Sequence, residues 1–189
     1  MTASRLARAL ALPVTALALL VPAAASQGAA ETGTFPIENV LSEPMDLTGT
    51  CLGAGAIGTL TGTEVGAGRF TENGPPALGF HAHGTSRLVF RIDFVDGRYA
   101  LGTLVEHFDF NALDTEHDED GPGGTDVAQL KDSSTSRGTA TVYDPGGQVL
   151  TNVTVHHDGH MIWRDLDADG VPGPGEIRSE VDHLRLSCR

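Results

Sequence analysis

The chain has 189 residues and contains 12 Lys and Arg against 25 Asp and Glu, which gives a formal net charge of −13 at pH 7. So acidic a protein repels nucleic acid and anionic membrane surfaces, and we expect neither as a partner. A chain of this length forms one ordinary domain with a hydrophobic core.

Residues 1–25 have the pattern of a secretory signal peptide. Two arginines precede an apolar stretch from Leu10 to Val21, and Ala23-Ala24-Ala25 supply the small residues of a cleavage site. The stretch is short for a membrane span and contains Pro13. We therefore expect a secreted, extracellular protein without a membrane anchor.

Residues 26–44 are polar and small, and we interpret them as an extended N-terminal arm. We expect the single β domain to occupy residues 45–189, with the fold beginning near Met45. The segment from Met45 to Phe70 combines threonines and small apolar residues with many glycines, a pattern typical of short strands with bends.

Two cysteines are present, Cys51 and Cys188, one near each end of the expected domain. In an exported protein they most simply form one disulfide, which would make the first and last strands neighbours. No C-x-x-C spacing indicates a redox role.

Residues 87–110 predict a β-hairpin. Leu88, Phe90, Ile92 and Phe94 alternate with other residues at the period of a half-buried strand, and Asp96-Gly97 provides the turn. A second hairpin is predicted from Thr139 to about His157.

This second hairpin turns through Asp144-Pro145-Gly146-Gly147, and Val149, Val153 and Val155 suggest its buried side. Residues 177–188 fit a helix or a strand, and we favour a strand with a kink. Short antiparallel turns without a crossover helix predict an all-β fold, either an antiparallel β-sandwich or a small β-barrel with one disulfide.

Residues 165–176 read DLDADGVPGPGE and match the twelve-residue D-x-D-x-D-G-x5-E calcium loop. Calcium takes six to eight oxygen ligands, and a tight loop directs alternate side chains to one centre. Gly170 at position 6 would permit the sharp turn, and a water would complete the shell near Gly173. The predicted Ca²⁺ ligands are the carboxylates of Asp165, Asp167, Asp169 and Glu176 and the carbonyl of Val171.

The loop resembles the calcium loops of EF-hands, dockerins and thrombospondin type 3 repeats, over these twelve residues only. The preceding segment, Val153 to Arg164, is rich in β-branched residues and contains Gly159, so it is a poor entering helix. A structural ion between two strands is therefore expected rather than a helix-loop-helix sensor. In general pattern the chain also resembles secreted proteins of high-GC Gram-positive bacteria that end in such a loop, a strand and a cysteine.

The sequence contains three weaker signals. Residues 111–126 contain a second, incomplete calcium-loop pattern that lacks the closing glutamate. His81 and His83 share a strand face and would bind zinc if His107 or His183 supplied a third ligand. Glu106 with Asp109, or Asp93 with Glu106, would form a carboxylate pair for glycoside chemistry.

No G-x-S-x-G, H-E-x-x-H or phosphate-binding glycine pattern occurs, so we predict no catalytic residues. The favoured function is an extracellular binding or interaction module with a structural calcium ion and an unknown extracellular ligand. A secreted hydrolase for carbohydrates or esters and a barrel that carries a small molecule are the alternatives.

Overall fold

The computed structural model describes residues 30–73, 79–114, 128–165 and 175–189. This part of the chain contains seven long β-strands and no helix. The strands are β1 (Glu31–Asp46), β2 (Ile57–Asn73), β3 (Gly79–Phe94), β4 (Tyr99–Asp114), β5 (Ala128–Tyr143), β6 (Val149–Asp165) and β7 (Ile177–Cys188). No helix within these ranges has the length and apolarity needed to cross a bilayer.

The strands form one antiparallel sheet in which each strand pairs with the next along the chain. The expectation of an all-β, antiparallel fold with one disulfide is confirmed. The finer choice between a sandwich and a barrel is not confirmed, because there is a single sheet and its described first and last strands are not hydrogen-bonded to each other.

Strand alternation gives the sheet a buried inner face and an exposed outer face. On β3, even-numbered residues from Leu88 to Phe94 are buried and the odd-numbered ones between them are exposed, as their period-two pattern predicts. Inner-face residues from β1 through β6 belong to one hydrophobic core, and Leu184 and Leu186 of β7 pack against it. No second layer covers this face within the described ranges, and Met45 of β1 lines the same cavity as Leu186 of β7. The sheet is therefore curved, and its own strands enclose the core.

Both predicted hairpins are confirmed, although their strands are longer than expected. Gly97 in the β3–β4 turn and Gly147 in the β5–β6 turn have φ angles of 88° and 85°, a conformation that glycine adopts without steric cost. Val153 and Val155 are buried as expected, whereas Val149 is 57% exposed. The strand expected for residues 177–188 is also confirmed.

The segment expected to be an N-terminal arm differs from that expectation. It is extended, but Glu31–Asp46 pairs with β2 along its whole length, so the sheet begins at Glu31 rather than near Met45. Leu41 and Met45 are buried in the core. Polar residues separate these two apolar side chains, so the sequence shows no clear alternation there. Pro36 and Pro44 are tolerated because β1 is the first strand of the sheet and has only one hydrogen-bonded neighbour.

The connection between β1 and β2, residues 47–56, covers one end of the core. Leu47, Leu52 and Ala56 in it are buried, and the Leu47 amide donates to the Ala56 carbonyl at 2.8 Å. Cys51 in this connection is bonded to Cys188 at the end of β7. The predicted disulfide is therefore confirmed, and it joins the beginning of the sheet to its end.

Replacing both cysteines, Cys51→Ser with Cys188→Ser, should lower the free energy of unfolding substantially. The bridge spans a sequence separation of 137 residues, and its loss frees chain entropy in the unfolded state worth about 5 kcal/mol. Urea unfolding under oxidising conditions measures the difference, with exposed Ser187→Ala as the control. A double variant within about 1 kcal/mol of the native protein would contradict the prediction, since 2–5 kcal/mol is typical of native bridges.

Candidate binding site inside the curved sheet

Side chains on the inner face fall into three layers that follow one another along the strands. On β4, for example, Ala100 and Leu104 are buried in the core, Glu106 follows, and Phe108 and Phe110 come next along the same face. The apolar layer lies at the end covered by residues 47–56. A polar layer and then an aromatic layer extend toward the opposite end of the sheet.

We call the polar layer the polar belt. Strand register aligns its members, since Asn39 lies opposite Glu64, Ser86 opposite Glu106, and Ser136 opposite both Glu106 and His157. Directly opposite side chains on one face lie about 5 Å apart and therefore interact. The belt consists of Asn39, Glu64, Ser86, Glu106, Ser136, His157 and Asp182.

Glu64 is the most enclosed carboxylate of the belt, with 2% of its surface exposed. Asn39 donates its Nδ2 hydrogen to Glu64 Oε2 at 2.8 Å, and the Ser86 hydroxyl donates to Oε1. Both carboxylate oxygens thus have a hydrogen-bond donor. Such bonds offset the free energy needed to remove a carboxylate from water.

Glu106 is the belt residue with the most perturbed ionisation. Burial, together with the charges of Glu64 and Asp132 and against a hydrogen bond from Ser136, raises the pKa of Glu106 from its usual 4.5 to about 7. Burial also raises the pKa of neighbouring Asp132. The belt therefore holds a carboxyl group that changes charge near neutral pH.

His157 and Asp182 form a buried pair on β6 and β7. His157 Nε2 lies 2.9 Å from Asp182 Oδ1, and 1% of the His157 side chain is exposed. Because an ionised carboxylate only accepts hydrogen bonds, Nε2 carries a hydrogen, and in the neutral ring this leaves Nδ1 as an acceptor. Within the described part of the chain, this buried Nδ1 has no hydrogen-bond partner.

We call the aromatic layer the aromatic row. It consists of Phe35, Phe70, Phe80, Phe108, Phe110 and Trp163. Its rings form a series of contacts, with centroid separations of 6.0 Å for Phe70 and Phe80 and 6.2 Å for Phe110 and Trp163. Glycines on adjacent strands provide space for the rings: a Cβ on Gly84 would lie 2.6 Å from the Phe108 ring. Buried Trp163 Nε1 has no hydrogen-bond partner among the described residues.

Charges of opposite sign are separated between the two faces of the sheet. Glu64, Glu106, Asp132 and Asp182 all point inward. Every lysine and arginine whose side chain is described in a strand is exposed, namely Arg69, Arg87, Arg91, Lys131, Arg137, Arg178 and Arg185. The interior consequently carries acids and one histidine without a compensating strong base.

The apolar layer itself offers little space. Its residues, among them Leu60, Phe90 and Val155, surround a cavity of about 40 Å³. That volume accommodates water but is far below the several hundred Å³ of an organic ligand site. An apolar cargo is therefore not accommodated at this end of the sheet.

The predicted calcium loop is the connection between β6 and β7. Asp167, Asp169 and Val171 lie outside the described residues, as does the Asp165 side chain at the end of β6. Glu176 is described and is 4% exposed. Since antiparallel strands flank the loop, the expected hairpin setting is confirmed, while the ion stays a prediction.

The other candidate sites have separate outcomes. His81 and His83 share the outer face with ring centroids 5.2 Å apart, but no group of three side chains suited to a metal occurs among the described residues. The second calcium-loop pattern, at residues 116–127, lies outside them.

The structure brings neither of the carboxylate pairs considered from the sequence together. Glu106 points inward, whereas Asp93 is bound to Arg91 on the outer face and Asp109 to His81 on that same face. The proximity of His81 lowers the pKa of Asp109. Members of each pair therefore face opposite sides of the sheet and cannot act on one substrate.

Sequence reasoning did not identify the polar belt as a unit. Ser86 continues the buried alternation of Leu88 and Phe90, so its inward position was readable from the sequence. Glu64 stands among glycines that carry no alternation signal, and nothing in the sequence relates it to Glu106 on a strand 42 positions later (106 − 64).

Comparisons of this chain with family models, with curated proteins and with solved structures find no match. The chemistry of the site is therefore inferred from its own side chains. These are buried acids with a histidine, next to a row of aromatic rings.

Glu106→Gln should remove a pH dependence of stability. Because the pKa of Glu106 is higher in the folded protein than its usual 4.5, its ionisation opposes folding. Below pH 4.5, Glu106 is protonated in both the folded and the unfolded state, and the free energy of unfolding has its full value. As the pH rises from 4.5 to about 7, the group ionises in the unfolded state but stays protonated in the folded state, so the free energy of unfolding falls. Above that pH the loss is on the order of 2–3 kcal/mol.

Chemical unfolding at a series of pH values from acid to mildly alkaline measures this effect. Glutamine cannot ionise but keeps an oxygen for Ser136, so the variant should be the more stable protein at alkaline pH. Exposed Glu38→Gln on the outer face is the matched control. Equal pH slopes for the native protein and Glu106→Gln would contradict the prediction.

Proposed function

We propose that this protein is an extracellular binding domain that takes up a small molecule inside the curved sheet, between the polar belt and the aromatic row. The observation that carries the proposal is the buried Nδ1 atom of His157, which has no hydrogen-bond partner within the described chain. Buried polar atoms in folded proteins almost always have a hydrogen-bond partner. A ligand supplies one.

The composition of the interior supports a ligand site. Hydrophobic packing alone favours apolar residues at inward positions, yet the belt places polar side chains in the middle of that face, where each costs free energy to bury. Aromatic walls with a few convergent polar groups are typical of small-molecule sites. The cavity in the apolar layer is too small for such a ligand, whereas the phenylalanine rings beside the belt are only half-buried and leave surface accessible to a ligand.

Binding can be followed through Trp163, the only tryptophan of the chain. A panel of small aromatic amines, alcohols, amides and carboxylates should include compounds that change its fluorescence in a saturable way and raise the melting temperature. Ser134→Leu, which adds bulk to the inner face beside the belt, should abolish this response.

Thr135→Leu adds the same bulk to the outward-pointing neighbour and should leave binding intact. Failure of every compound in the panel to bind the native protein would refute the proposed function. Equal binding to both leucine variants would place the ligand outside the sheet interior and would refute it as well.

We also propose that a structural Ca²⁺ ion is bound by residues 165–176. The hairpin supports this, since Trp163 pairs with Ile177 and the two ends of the twelve-residue loop therefore come together. The residues that would hold the ion are Asp165, Asp167, Asp169, Glu176 and the carbonyl of Val171. An ion there would neutralise repulsion among four carboxylates and fasten β6 to β7.

Millimolar calcium should raise the melting temperature of the native protein by several degrees relative to a chelator. A ligand at one hundred times its Kd adds about 2.7 kcal/mol, and each kcal/mol corresponds to roughly 2–4 °C in a domain of this size. Differential scanning calorimetry of the double variant Asp167→Ala, Asp169→Ala should show no calcium effect. Exposed Glu180→Ala is the control, and a native protein indifferent to calcium would disprove the ion.

A further inference from the structure

We infer that the ligand of the polar belt is an organic cation, an amine whose ammonium group lies among the belt carboxylates and whose apolar body lies against the aromatic row. This inference rests on the proposed binding function and specifies its ligand class. Three independent features of the interior support it: its charge, its hydrogen-bonding capacity and its aromatic lining.

The charge of the interior favours a cation. Among the described residues, the carboxyl groups of Glu64, Glu106, Asp132 and Asp182 lie on the inner face with one histidine, His157, and the strand lysines and arginines are all exposed. No described basic side chain neutralises Glu64; its partners are the neutral donors of Asn39 and Ser86. Coulombic attraction to a cation is strong in such a poorly hydrated site, whereas an anionic ligand would be repelled.

The unused hydrogen-bonding atoms of the belt mainly accept hydrogen bonds, so they suit a ligand that donates them. Ser86 and Asn39 already donate to Glu64, and Ser136 donates to Glu106. What remains in the belt are mainly acceptors, the lone pairs of the two glutamates and, in the neutral ring, Nδ1 of His157; a buried donor without a described partner, Trp163 Nε1, lies in the aromatic row. An ammonium group has several N–H donors and no acceptor, so it complements this set.

The aromatic row suits the same ligand class. Ring faces attract cations, and the attraction grows when water is excluded. The rings from β1 to β6 also offer apolar surface to a carbon skeleton adjoining the ammonium group. Charge, donors and aromatic surface thus select an amine over an alcohol or a carboxylate of equal size.

Four probes that share a phenyl ring and one attached carbon test the inference by Trp163 fluorescence and calorimetry: benzylamine, benzyltrimethylammonium, benzyl alcohol and benzoate. Benzylamine should bind at least about tenfold more tightly than the alcohol or the benzoate, the factor expected for a charge-assisted hydrogen bond. Benzyltrimethylammonium has the charge without N–H donors and should bind with intermediate affinity.

The affinity for benzylamine should rise as the pH increases through 7, because Glu106 then ionises. The titratable groups around it are Glu64 on β2, Asp132 on β5, and the His157–Asp182 pair beyond Ser136. Glu106→Gln should weaken benzylamine binding about tenfold at alkaline pH and abolish the pH dependence, and Glu38→Gln should change neither.

The outcomes separate this inference from the function on which it rests. If benzyl alcohol or benzoate binds more tightly than benzylamine, and Ser134→Leu abolishes that binding, the interior is a ligand site but the inference of a cationic ligand is wrong. If benzylamine binds equally well to native protein and Ser134→Leu, the amine is not in the interior and the inference fails. If none of the four probes and no compound of the wider panel binds, both proposals fail.

Discussion

The structure depends on an unbroken antiparallel register that sends alternate side chains of seven strands to the same face. With no second layer to cover that face, the sheet must enclose its own apolar side chains, and the Cys51–Cys188 bridge joins its two ends. A slip of one residue on any strand would exchange its inner and outer residues. On β3 this would expose Phe90 and Ile92 and bury Arg91.

The same register explains how a binding site can arise in an interior of this kind. Strand pairing brings Glu64, Ser86, Glu106, Ser136 and His157 side by side, although they are dispersed over almost one hundred positions of the chain (157 − 64 = 93). The fold supplies rigid backbone positions, and the hydrogen bonds among belt residues fix the side chains. A preorganised site of this sort loses little conformational entropy when a ligand binds.

In the proposed binding site, the polar residues that would bind a ligand lower the stability of the fold. Apolar residues at these positions would be buried without electrostatic cost, while burial of Glu106 near Glu64 and Asp132 makes its ionisation unfavourable. The apolar layer and the disulfide at the covered end of the sheet offset that cost. Within the described strands the lysines and arginines point outward, an arrangement that supports the proposed preference for a cationic ligand.

The sequence by itself determined the local hairpins and the disulfide. The period-two pattern of Leu88 to Phe94 and the Asp96-Gly97 turn specify a hairpin because alternation and turn chemistry are local properties, and the only two cysteines of the sequence can form a single bridge. The strand β1 was obscured, since its apolar residues are sparse. Only the tertiary structure decided that the strands form one curved sheet and that Glu106 shares its face with Glu64 rather than with Asp93 or Asp109. Such relations depend on the register between distant strands, and register is set by the packing of the whole inner face, not by any single segment.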